Sequence, residues 1–150
     1  MAWVTPSTRT TGDLITAAIW NQDVVANPIA ILPTGIGIII DGAGSTITSG
    51  IKGDMLVPYA CTITTATLLA DQTGSIVIDI WKDTYANFPP TDADSITASA
   101  PPTITTSTKG QDSSLTGWTT TIAANSILRF NVDSCTSITR VTLFLNVTRT

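Results

Sequence analysis

Val141, Leu143, Leu145 and Val147 recur at every second position against Arg140, Thr142, Phe144 and Asn146, a period that only an extended strand with one buried face satisfies. The same alternation places Ile76, Ile78 and Ile80 opposite Val77, Asp79 and Trp81, and Leu128, Phe130 and Val132 opposite Arg129 and Asn131. Ile36 to Ile40 opens this pattern. Met55 to Leu69 breaks at Pro58 and loses strict alternation near Thr64 and Thr65, so one strand ends there, another begins, and a bulge interrupts the second. Composition agrees: 29 Thr and 19 Ile are β-branched strand formers, and good helix formers are scarce. The expected class is all-β, an antiparallel β-sandwich of about eight short strands, jelly-roll-like, with a short N-terminal helical segment.

Two parts are expected, residues 1–33 and 34–150. In the first, Thr16 can cap a helix from Ala17 to Ala26, with Ile15 placed to staple onto Trp20, and Asn27-Pro28 closes it. About ten residues make a marginal helix in water. Trp20, Val24 and the run from Ile29 to Leu32 therefore need an apolar surface, either the chain's own sheet or another protein. In the second part, Asp83 to Gly117 is a long polar stretch with Pro89-Pro90 and Pro101-Pro102, carrying short strand candidates at Ser95–Ala98 and Thr103–Thr106.

The chain has no histidine, which removes the commonest general base, the commonest metal ligand and the His-based triads. All 11 acids are Asp, the seven bases are scattered, and the net charge is −4, so a nucleic-acid partner is not expected. No apolar run approaches the about 18 residues of a membrane span and no signal-like opening is visible, so the chain is expected to be soluble and unprocessed, with no membrane insertion. Cys61 and Cys135 lie in no motif and are expected as buried thiols. Asp92-Ala-Asp94 and Asp41-Gly-Ala-Gly44 read as a solvated loop and a tight turn rather than as metal sites, and Asn146-Val147-Thr148 as a chance sequon. No cofactor is expected.

Trp81, Tyr85, Phe88 and Trp118 sit on or near the long polar segment, beside Asp, Asn and hydroxyls. Such aromatics either pack the rim of a core or offer rings to a sugar or a protein partner. Because Trp81 alternates with the core-facing isoleucines, it shares a face with Asp79 and points away from the main core.

Trp3-Val4-Thr5-Pro6, the stretch from Thr11-Gly12-Asp13 through Thr16-Ala17-Ala18 to Trp20-Asn21, and Asn27-Pro28 resemble the opening of tailed-bacteriophage virion proteins that precede fibre or decoration domains. Ile40-Asp41-Gly42-Ala43-Gly44-Ser45, Gly50-Ile51-Lys52-Gly53, Val57 to Ile63, Ile78 to Lys82 and Leu115-Thr116-Gly117-Trp118 are similar to a small all-β domain of such proteins. The resemblance implies a non-enzymatic structural protein on the virion surface, assembled in the bacterial cytoplasm. It implies a homotrimer whose N-terminal 33 residues dock on capsid or tail proteins while the β domain projects outward; a short head or tail fibre or decoration knob is then expected, docking through Trp3, Leu14, Ile15, Ile19, Trp20, Val24 and Ile29, with the aromatics of the Asp83 to Gly117 loops offered to host-surface glycans. A capsid cement protein is the alternative within the particle. A free carbohydrate-binding module or an Asp-based glycosidase is the alternative outside it.

Overall fold

The computed structural model describes residues 10–21 and 35–150. Trp3, Val24, Ile29 and the Asn27-Pro28 stop lie outside the described residues. Helix α1 spans Ala17–Trp20, and Thr16 caps it as the sequence predicts, its hydroxyl accepting a hydrogen bond from the Ile19 N–H at 3.3 Å.

Among the described residues seven strands follow: β1 (Gly35–Asp41), β2 (Gly50–Val57), β3 (Cys61–Asp83), β4 (Thr103–Asp112), β5 (Thr121–Ile122), β6 (Ser126–Thr136) and β7 (Arg140–Arg149). All pair antiparallel, as the all-β reading expects. One strand does end at Val57 and the next begin at Cys61, and the β3–β7 register slips at Thr64. The separate strand expected from Ser75 to Trp81 is instead the second half of β3, a strand of 23 residues. Ser95–Ala98 makes a single bridge, Ser95 to Trp81, whereas Thr103–Thr106 opens the longer β4.

The long β3 organises the molecule as one curled sheet, ordered β1-β7-β3-β6-β2, with β4 and β5 along the other side of β3. From Cys61 to Ala70 it pairs with β7, and from Ser75 to Asp83 with β6. The change of partner falls at Asp71-Gln72-Thr73-Gly74. β6 and β7 turn back on each other just above this corner, through Ser137 at φ +70°. Asp71 fastens the two together: its carboxylate accepts from the Thr139 N–H at 3.2 Å, the Arg140 N–H at 3.0 Å and the Thr139 hydroxyl. Gln72 donates to the Ser137 carbonyl. Gly74 lies so close that a Cβ there would stand 2.3 Å from the Thr136 carbonyl oxygen.

Curling turns the apolar faces of both halves into a single core. Ile36, Leu68, Leu143 and Leu145 come from one half, and Ile76, Ile78, Ile80, Leu128 and Phe130 from the other. Residues of opposite parity face out, which leaves two outer surfaces: one across β1, β7, β3 and β4, the other across β2, β6 and the second half of β3. The segment between β3 and β4 crosses the second.

Candidate functional site

On that second surface the alternation of β3 puts Asp79 and Trp81 on the side away from the core isoleucines, as the sequence predicts. Both are nonetheless buried, because the segment after β3 folds over them. Asp79 is 7 % exposed and accepts four hydrogen bonds: from the Ile80 N–H at 2.7 Å, the Trp81 indole N–H at 2.7 Å, the Ser95 hydroxyl at 2.8 Å and the Thr97 hydroxyl at 2.5 Å. Dipoles rather than a cation compensate the desolvation of this carboxylate. The result is a polar rivet that holds Ser95–Thr97 against the edge of β3, reinforced by the Ile96 N–H donating to the Ile80 carbonyl at 2.9 Å.

A second clamp lies beside it. β2 and β6 pair Asp54 with Arg129, and the guanidinium grips the carboxylate with two bonds, Nε to Oδ1 at 2.7 Å and Nη2 to Oδ2 at 3.0 Å. Its remaining terminal nitrogen donates to the Pro90 carbonyl at 3.2 Å, and the guanidinium stands 5.2 Å from the centre of the Phe88 ring. The Asp54 bonds push the Arg129 pKa up from its ordinary value. Short 3-10 turns at Tyr85–Asn87 and Asp92–Asp94 shape the loop between these clamps. Asp83 accepts from the Thr84 N–H and the Asn87 amide, while the Thr91 N–H and hydroxyl bind Asp94 and hold its pKa below the ordinary value.

The four aromatics expected as a contact surface thus divide into two pairs. Trp81 is buried beneath the loop, and Trp118 is buried in the core with its indole donating to the Ala100 carbonyl at 2.9 Å. Tyr85, at 83 % exposure, and Phe88 stand outside. The outward surface is therefore two rings on a loop braced by Asp79 and Arg129. Asp133, nearby, has its pKa raised, first by burial and further by the negative charges of Asp79 and Asp92 against the Asn131 bond. A ring of a neutral ligand can stack on such aromatics.

Among the described residues, no three acidic or cysteine side chains converge in a way that would hold a metal ion. Burial raises the pKa of both thiols, so Cys61 and Cys135 are poor nucleophiles at neutral pH. A cleft of about 190 Å³ opens between Ala66, Leu68, Pro101, Pro102 and Asp112, walled mostly by apolar atoms. At the other end of the chain Leu14, Ile15 and Trp20 are exposed, Ile19 is half-buried, and no residue of α1 is buried.

Sequence reasoning placed Asp79 on the face away from the core isoleucines but assigned it no role. It missed the Asp54–Arg129 clamp, whose partners are 75 positions apart and meet only through the β2–β6 register. Comparison with protein families, with curated proteins and with solved structures finds no match.

Proposed function

We propose that the protein is a non-enzymatic surface component of a tailed-bacteriophage particle, docked through its N-terminal segment, with the β domain projecting and the Tyr85–Phe88 loop turned outward. The observation that carries this reading is the contrast between the two parts. The sheet closes on its own core, whereas Leu14 and Ile15, just before the short helix, and Trp20, at its end, stay exposed, and no residue of that helix is fully buried. Exposed apolar groups on a marginal helix favour a partner that covers them. The resemblance of the opening residues to phage virion proteins supplies the kind of partner, a capsid or tail protein.

The test is incorporation into particles. Trp20→Ala is expected to lower occupancy on the particle at least about tenfold, since a large ring buried at an interface contributes more than about 1.4 kcal/mol. Unchanged occupancy would reject the docking role. Particles without the protein that lose heat stability but adsorb normally would make it a cement protein. A free sugar-binding module is the second reading, favoured by the exposure of Tyr85. It requires glycan affinity that Tyr85→Ala removes, with no particle association.

A further inference from the structure

The outer surface opposite in character to the loop-covered one runs across β1, β7, β3 and β4, and its rows follow from the register. Ile39, Thr142, Leu69 and Lys109 form one row, and Gly37, Phe144, Thr67 and Gln111 the next. Ile39 is 66 % exposed, Leu69 54 % and Phe144 41 %. The Phe144 ring lies flat across β1, occupying the space a Cβ at Gly35 would need and touching that of Gly37, so the face is smooth as well as apolar. Between β3 and β4 it is grooved, with about 490 Å³ lined by Thr67, Leu69, Lys109, Gly110 and Gln111.

We propose that this face is where two copies of the chain meet, in place of the three that the resemblance implies, related by a two-fold axis running along the strands between β7 and β3. Charge decides the partner and the symmetry. Two molecules that each carry −4 repel, and these two rows hold no carboxylate. Their one charge is Lys109, on the β4 side, while Asp41 ends β1 on the opposite side, one row beyond Ile39 on the same face, across from Arg140 and with its Oδ1 accepting from the Ala43 N–H at 2.7 Å. Neither is in an ion pair among the described residues. A two-fold along the strands reverses the order of the columns and sets β4 of one copy over β1 of the other. Lys109 then comes over the Ile39–Asp41 end of its partner's β1, twice by symmetry, and each Ile39 enters the groove beside Leu69. Thr142 faces Leu69, and Phe144 faces Thr67. Aligned strands are the ordinary geometry of two sheets packed face to face about 10 Å apart, and a self-complementary patch is what a two-fold contact requires.

Light scattering on the purified full chain, from about 1 to 100 µM, tests this without any particle, so its failure leaves the docking reading standing. The expected mass is that of two copies. Ile39→Glu and Lys109→Asp change exposed side chains and are expected to leave the melting temperature in place while raising the dissociation constant at least about tenfold. Adding Asp41→Lys to Lys109→Asp is expected to restore association. A monomer throughout, a mass of three copies, or a two-copy mass that both folded variants retain would overturn the proposal. If one variant failed to fold, the other would decide.

Discussion

Asp71 stands where β3 changes partners, and its carboxylate is saturated by the Thr139 hydroxyl and by the N–H groups of Thr139 and Arg140. The Thr139 hydroxyl bond first, and the backbone bonds after it, hold its pKa below the ordinary value. A carboxyl with a lowered folded pKa contributes stability above the unfolded value of about 4, and the contribution is lost as pH falls through the folded value. Asp71→Asn is therefore expected to melt at a lower temperature than the wild type at pH 7, with the gap closing as the solution is acidified below pH 4. Thermal melts across that range check it; a gap independent of pH would mean that the carboxylate's charge is irrelevant to the corner. Asp94 and Asp112 have pKa values lowered by similar local bonds and add to the acid sensitivity in the same direction. Nothing in the sequence distinguishes Asp71 from the other ten aspartates, because its partners lie about 68 positions away.

At the scale of elements, the corner of β3 depends on a close backbone approach. A methyl group on residue 74 would stand 2.3 Å from the Thr136 carbonyl oxygen, a fixed backbone atom that cannot swing aside. Gly74→Ala is expected to cost about 1 to 3 kcal/mol through overpacking, measurable by urea unfolding; a cost under about 0.5 kcal/mol would show that the corner yields. The sequence revealed strands well where one face is buried, as in β7, β6 and the second half of β3, since alternation records burial directly. It hid the continuity of β3 because Asp71-Gln72-Thr73-Gly74 has the composition of a turn. Those residues do bend the chain, yet pairing with β4 resumes at Gly74. The same limit applies to the loop over Asp79. Alternation placed Asp79 and Trp81 off the core face, but a lid supplied by Ser95 and Thr97 lies 16 and 18 positions on and leaves no periodic trace. Legible in the candidate site was the set of aromatics; which of them would be left outside depended on tertiary packing.

At the scale of the molecule, the described residues form one curled sheet around one core, and no buried residue of α1 contributes to it. A chain beginning at Thr34 is accordingly expected to keep the sheet, with a circular dichroism spectrum of strand type and a melting temperature within a few degrees of the full protein. Loss of cooperative melting would make the N-terminal part integral to the fold. The pairing of β1 with β7 also fixes how the molecule answers to force. Gly35 lies opposite Asn146, so tension applied through the residues before β1 and those after β7 pulls at one end of the pair and peels its hydrogen bonds open one after another. Tension entering at Gly35 and leaving through Asp83 runs along the strands, because β3 begins at the Gly35 end and departs from the other. In that direction the β1–β7 and β7–β3 bonds are sheared together. A domain held by its N-terminal side and loaded at the Tyr85–Phe88 loop is pulled along its strong axis.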